Sequence, residues 1–138
     1  MNAGIRVGVS GSRTGATPAQ LRGLSTLLRL WDATALLHGD CVGVDAQAHA
    51  IAMRLGRGSY AYPSNVPGTR AHTERTGAIL MSEEDHPLDR NRRIVSLCHV
   101  LVALPRLGSR GTWHAVKVAR ETKRLTVVLD DSGCPISG

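Results

Sequence analysis

The chain has 138 residues, 42% of them apolar and 20% charged, which suits one globular domain and leaves no room for two enzyme domains. Its longest apolar runs, Val100–Pro105 and Leu125–Leu129, fall far short of the ~20 residues needed to cross a bilayer, so no membrane span is expected. Seventeen Lys and Arg against eleven Asp and Glu give a formal charge of +6, a balance open to nucleic acid or to a phosphorylated small ligand.

Apolar, β-rich runs alternate along the chain with segments of helical period. Ile5–Val9 reads as a buried strand, followed by the small, polar loop Ser10–Gly15. Thr17-Pro18-Ala19-Gln20 spells a helix start: Thr as N-cap, Pro at the first helical position, Gln where a capping box needs it. Leu21, Leu24, Leu27, Leu28 and Trp31 then recur at helical spacing. Ala35–His38 is a second strand, and Val44 to Leu55 a second helix marked by Ala48, Ile51, Ala52 and Leu55 and closed by Gly56. Ser59–Tyr62 is a third strand, ended by Pro63. Residues 64–87 are expected to form a long loop with a short helical piece near Arg75–Met81. Leu88–His99 reads as a third helix, Val100–Leu104 as a fourth strand, Thr112–Thr122 as a fourth helix and Leu125–Leu129 as a fifth strand; Asp130–Gly138 is expected to fray.

This alternation predicts an α/β fold: a Rossmann-like, doubly wound parallel sheet of about five strands, flanked by helices on both faces. It forms one domain with its core at residues 5–129 and a flexible tail at 130–138. Ligands of such sheets bind outside the carboxyl ends of the strands, which nominates Ser10–Thr14, Gly39–Asp45, Tyr62–Asn65 and Pro105–Thr112.

Four local patterns carry candidate chemistry. In Gly8-Val9-Ser10-Gly11-Ser12-Arg13, small residues let backbone amides approach a ligand and Arg13 adds charge; a tight strand–helix turn is the plain alternative. His38-Gly39-Asp40-Cys41-Val42-Gly43-Val44-Asp45 sets two acids around a glycine loop, where Asp45 either caps the helix or aims at ribose hydroxyls. Asp89-Arg90-Asn91-Arg92-Arg93 crowds three arginines at the positive end of a helix dipole, a conflict that a bound anion would resolve; Asp89 as N-cap with a solvated basic face is the other reading. Gly108-Ser109-Arg110-Gly111-Thr112 brings backbone donors, two hydroxyls and an arginine to a helix start, as phosphate binding requires, and is the most specific of the four.

The remaining chemistry-bearing residues are scattered. His38, His49, His72, His86, His99 and His114 form no H-x-x-x-H or H-E-x-x-H, so neither a metal nor another cofactor is expected. Cys41, Cys98 and Cys134 are odd in number and contain no C-x-x-C pair, so no disulfide framework is expected, and Cys41 reads as a small buried thiol. The first residues, MNAGIRVGVSGSR, show no basic stretch followed by an apolar one, so no signal peptide is expected and the cytoplasm is the expected compartment. Four aromatic residues, Trp31, Trp113, Tyr60 and Tyr62, are few for a surface that stacks the bases of a single strand.

Taken in order, strand–GSR, HGDCVGVDAQAHAIA, a Pro after the third strand, DRNRRIV and GSRGTWHAV resemble the SLOG superfamily. That superfamily joins the DNA-processing protein DprA with the LOG phosphoribohydrolases and small stand-alone nucleotide-binding proteins, and the YspA-like members of the last group are the most similar in pattern. The resemblance covers roughly residues 5–129. It implies nucleotide binding in the crevice nominated above and, by analogy with relatives of this size, a homodimer or larger assembly. In LOG enzymes the Gly-rich motif binds phosphate and supplies a catalytic Glu, and an upstream segment supplies a catalytic Arg. Here Gly108–Thr112 matches the phosphate part and Arg90 the arginine, whereas the glutamate position is Ala115.

The leading expectation is therefore a binder of a nucleotide or nucleotide-derived phosphorylated small molecule. Its phosphate would lie on Gly108, Ser109, Arg110, Gly111 and Thr112, helped by Ser10, Gly11, Ser12, Arg13, Arg90 and Asn91. Asp45 would hold the ribose hydroxyls, Gly39 and Asp40 belong to the same ligand-binding loop, and Tyr62 or Asn65 would border the base. A LOG-like N-glycosidase with Asp45 and Arg90 as its catalytic pair is the alternative, and DprA-like binding of single-stranded DNA ranks last.

Overall fold

A computed structural model describes residues 4–136. Six strands, β1 (Arg6–Gly11), β2 (Ala35–His38), β3 (Gly58–Ala61), β4 (Ile79–Leu80), β5 (Val100–Leu104) and β6 (Leu125–Val128), form one sheet in the order β4-β3-β2-β1-β5-β6. Every neighbouring pair is parallel. Four helices cover it: α1 (Pro18–Leu30), α2 (Val44–Arg54), α3 (Pro87–Leu97) and α4 (Arg110–Glu121).

The apolar runs form central strands because they are buried on both faces. Along β5, Val100, Val102 and Leu104 join Val7 and Val9 of β1 in a core closed by Leu24 and Leu28 of α1 and Val44, Ala48 and Ile51 of α2. Leu101 and Ala103 point the other way, into a core with Val95 and Cys98 at the end of α3 and Ala115, Val116 and Ala119 of α4. A third cluster of Ala35, Leu37, Tyr62 and Ile94 completes the α3 side. The sheet is thus doubly wound as expected, with α1 and α2 on one face and α3 and α4 on the other.

Helix starts follow their caps. Thr17 and Gln20 form the full capping box of α1, with Pro18 leading the helix. Gln20 is also wholly buried, and its amide donates to the carbonyls of Pro105 (2.9 Å) and Leu129 (3.1 Å), tying the ends of β5 and β6 to α1.

Three expectations need correction. The sheet has a sixth strand: the stretch expected as a helical piece near Arg75–Met81 is a 3-10 turn (Thr73–Thr76) followed by β4, which pairs with β3 through Tyr60–Ile79 and Ala61–Leu80. The N-cap of α3 is His86, whose Nδ1 accepts from the Leu88 amide, with Pro87 first in the helix; Asp89 lies inside and pairs with Arg92. The tail does not fray over 130–136: the Asp130 carboxylate accepts from the Ser132 and Cys134 amides, Ile136 N donates to Val128 O, and Thr17 Oγ1 donates to Asp131 O. Residues 137 and 138 lie outside the described residues.

Chain order reverses between β1 and β5: β2, β3 and β4 spread to one side of β1, β5 and β6 to the other. Loops leaving the ends of β1 and β5 therefore part company and open a crevice between them, where open parallel sheets bind ligands.

Candidate functional site

A cavity of about 400 Å³ occupies that crevice. It is lined by residues 9–14 at the end of β1, by Gly39, Cys41 and Asp45 beyond β2, by the first turns of α3 and by residues 107–112 between β5 and α4. Of the residues nominated from sequence, Ser10, Gly11, Ser12, Arg13, Gly39, Asp45, Arg90, Asn91, Gly108, Ser109, Arg110, Gly111 and Thr112 come together here. Asp40, Tyr62 and Asn65 do not.

Arg90 crosses from α3 to the floor of the cavity and is 8% exposed. Its Nη1 donates to Gly39 O (2.8 Å) and Tyr62 O (3.4 Å), and its Nε donates to Asn91 Oδ1 (3.1 Å). Among the described residues no carboxylate lies within ion-pair distance of Arg90, whereas Arg92 pairs with Asp89 and Arg93 with Asp85. The crowding of three arginines is thereby resolved: two lie on the solvated face and one is buried, its charge unneutralised by a salt bridge. Asn91 links that cation to α4, since its Nδ2 donates to Gly111 O (3.3 Å) and to His114 Nδ1 (3.2 Å). Burial, aided by Arg92 and Lys117, lowers the His114 pKa and so favours the neutral ring, whose Nδ1 can accept from Asn91.

Asp45 stands in the first turn of α2 and closes the loop on itself. Its Oδ2 accepts from the amides of Gly39 (3.1 Å) and Cys41 (3.2 Å). Oδ1 makes no hydrogen bond among the described residues, and Asp45 is part of the cavity wall. Burial raises the pKa of this carboxyl, while Arg90 and the two amides oppose the rise. Cys41 shares the wall; burial and then Asp45 hold its thiol protonated. The turn that opens α2 requires Gly43: at φ +89°, an added Cβ would strike the carbonyls of Ser12 and Arg13.

The opposite wall is the start of α4, which begins at Arg110, two residues before the predicted Thr112. Ser109 gives this helix no side-chain cap because its hydroxyl accepts from the Arg106 amide (2.9 Å). The Gly111 and Thr112 amides find no acceptor among the described residues. Thr112 Oγ1 is buried with no hydrogen-bond partner, a costly state for a hydroxyl unless a ligand supplies one.

Asp40 sits on the back of the same loop, at φ +55° and fully buried. Its carboxylate accepts from the amide (2.8 Å) and hydroxyl (2.7 Å) of Thr73 and pairs with Arg70 (2.9 Å). Burial alone would raise its pKa, but these donors bring it below the usual value. Tyr62 is 2% exposed within the third core cluster and reaches the site only through its carbonyl. Asn65 is exposed, its amide donating to Asp85 O (2.8 Å). Sequence reasoning missed Cys41, Thr14, Pro87, Leu88, Ile94 and Leu107 as lining residues. Only Cys41, Thr14 and Leu107 lay in nominated loops; the α3 residues follow from Arg90 once the helix is docked.

No protein-family model matches the chain, and no curated protein sequence matches it. Solved structures do. A molybdenum cofactor binding protein from the phototrophic bacterium Rippkaea orientalis is 24% identical, covers 95% of this chain and 79% of its own, and superposes with a TM-score of 0.74. DNA processing protein A of Streptococcus pneumoniae is 20% identical over 91% of this chain, with a TM-score of 0.71. DNA processing protein A of Helicobacter pylori, described by its single-stranded DNA binding mode, is 21% identical over 91% of this chain, with a TM-score of 0.67. The chain spans 50% and 65% of these two DNA-processing proteins. Among the described residues no helix is long and apolar enough to cross a membrane. At these identities the likeness is one of architecture: this chain shares the fold of the cofactor-binding protein and of the two DNA-processing proteins.

Proposed function

We propose that the crevice binds a nucleotide or nucleotide-derived phosphorylated small molecule, with its phosphate on the N-terminus of α4. The observation that carries this reading is the orphaned Thr112 hydroxyl, buried on the cavity wall beside two amides that lack acceptors. A phosphate oxygen would satisfy all three donors at the positive end of the helix dipole, and the unpaired Arg90 would complete its charge balance. The protein of Rippkaea orientalis, which binds a small molecule, supports a small-molecule reading of the fold. Single-stranded DNA, suggested by DprA, fits a buried pocket without an aromatic platform less well.

Thermal unfolding with a panel of nucleoside monophosphates tests the proposal. A bound nucleotide at a hundred times its Kd stabilises the fold by about 2.7 kcal/mol. Arg90→Ala and Gly111→Asp should each abolish the shift; a Cβ at Gly111 meets open space, so the second variant places a carboxylate in the phosphate site without disturbing packing. If both variants still respond, the ligand binds elsewhere. Tight single-stranded DNA binding that survives about 200 mM salt would reverse the ranking.

The placement of Asp45 favours a second reading, an N-glycosidase acting on nucleoside monophosphates. Its carboxyl faces the cavity beside Arg90, where it is positioned to support positive charge developing on a ribosyl carbon. Release of free base by the wild-type protein and not by Asp45→Asn would establish it. Stabilisation by nucleotides without base release would leave binding alone.

A further inference from the structure

The walls of the crevice change chemistry with depth. Its floor is made of residues nine-tenths or more buried: Thr112, Arg90, Asn91, Asp45 and Cys41. Its mouth is made of exposed ones: Leu88, the fully exposed Leu107, Arg13 and Arg110. The fixed hydrogen-bonding groups lie deep, and the side chains near the opening are aliphatic or long, flexible cations, apart from Thr14, whose hydroxyl is engaged with Ser12 Oγ.

No aromatic residue lines this cavity among the described residues, and all four rings of the chain are placed elsewhere. Trp31 packs against the core between the sheet and α1 and α2. Tyr60 and Tyr62 belong to the cluster under α3. Trp113, on the first turns of α4, faces a second depression with Pro105, Asp131 and Ile136, which shares only Leu107 with the crevice. A base in the crevice thus has no ring of the cavity wall to stack on and meets the aliphatic Leu88 and Leu107 and the exposed Arg13 and Arg110, whose side chains no hydrogen bond holds in place among the described residues.

We infer that the site selects a ribose 5-phosphate unit and leaves the base unread: phosphate and sugar fill the buried floor, and the base lies at the mouth. This rests on the phosphate reading above. Asp45 supplies the sugar contact, because Oδ2 is held by the Gly39 and Cys41 amides while Oδ1 is free to accept from vicinal hydroxyls. Even an enclosed apolar pocket discriminates between ligands by only roughly ten- to two-hundredfold, and the exposed Leu88 and Leu107 discriminate less, whereas a buried hydrogen-bonding group rejects a ligand lacking its partner far more strongly. Selectivity therefore follows the hydroxyls that meet Asp45 and not the identity of the base.

Calorimetric titration of the wild-type protein with AMP, GMP, CMP, UMP, ribose 5-phosphate, 2-deoxyribose 5-phosphate, dAMP and inorganic phosphate reads this directly. The four ribonucleotides should bind within about fivefold of one another, and ribose 5-phosphate within about tenfold of AMP. The two deoxy compounds should bind at least about tenfold more weakly than their ribo partners, a gap that Asp45→Asn should close. The ribo–deoxy comparison on wild-type protein stands even if the variant does not fold. Preference for one base by more than about tenfold overturns the inference; a preference for GMP in particular would put Asp45 on a purine edge. So does failure of ribose 5-phosphate where the nucleotides bind, and both results leave the phosphate reading intact. Absence of binding by every compound, inorganic phosphate included, defeats the phosphate reading and this inference with it.

Discussion

A side chain at Gly39 would occupy the space that the Arg90 guanidinium fills, and would also press on Asp45 Oδ2 at 3.0 Å. Glycine is needed there so that a cation can lie flat against the backbone and donate to the Gly39 carbonyl. Gly39→Ala should evict Arg90 from the floor and leave the carbonyls of Gly39 and Tyr62 without that donor. We expect a loss of about 2–3 kcal/mol in unfolding free energy by denaturant titration, together with loss of nucleotide-induced stabilisation. Retained binding with only the stability loss would show that Arg90 does not hold the ligand. At the same scale, Asp40 and Asp45 show what residue type alone does not reveal. Both are acids flanking one glycine loop, yet the αL backbone of Asp40 turns its carboxylate to Arg70 and Thr73, while Asp45 on the helix faces the cavity.

Between elements, Gln20 does the work of several contacts. It caps α1 from within and bridges the ends of β5 and β6, the strand that delivers residues 107–112 to the crevice and its neighbour. Gln20→Leu fills the space but leaves the Pro105 and Leu129 carbonyls without donors, so a loss of about 2–4 kcal/mol with an unchanged denaturant m-value is expected. An equal stability for the variant would mean that water replaces the amide. The start of α1, the strands Ala35–His38 and Val100–Leu104 and the glycine-rich loops were legible because each carries its own local signal: a capping box, a continuous apolar run, small residues after a strand. Strand β4 was not, since two exposed residues, Ile79 and Leu80, have no period and are recruited only by the backbone of β3. The fold-back at 130–136 was hidden for a similar reason: the Asp130 carboxylate and the docking of Gly133 against α1 hold it, not an apolar pattern. The orphaned Thr112 hydroxyl could emerge only after α3 and α4 were docked.

For the molecule as a whole, a buried relay joins the sheet to the connection that crosses from β3 to β4. The Asp40 amide donates to His38 Nδ1 (3.0 Å), so His38 carries its proton on Nε2 and donates it to Ser59 Oγ (3.0 Å). His49 Nε2 faces the Thr76 carbonyl (3.2 Å) and must donate, so its Nδ1 accepts from Ser59 at 2.7 Å. With these donors and acceptors every polar atom in the relay is satisfied. Burial, with smaller contributions from His49 and Arg90 against Asp40, pushes the His38 pKa down to about 3. Between that value and the ordinary 6.5 the unfolded chain binds the proton and the folded one does not, so stability falls on acidification. Its slope approaches about 1.4 kcal/mol per pH unit within that window. Equilibrium unfolding should show the decline beginning below pH 6.5, before ordinary carboxylates titrate, and His38→Gln should flatten that part of the curve. A profile level from pH 7 to 5 in the wild-type protein would contradict it.

The seam between β1 and β5, beside which the crevice opens, also sets when the site can come into being. Arg6 donates to His99 across 93 residues of sequence, and the strands they flank form the centre of the sheet. Closing a loop of that length costs entropy that local pairing does not repay, which places parallel, non-local sheets among the slower folders. On a ribosome, β1 through α3 emerge with no β5 to receive them. Residues 107–112 follow only after β5, so the crevice cannot close until the chain has been made through the start of α4.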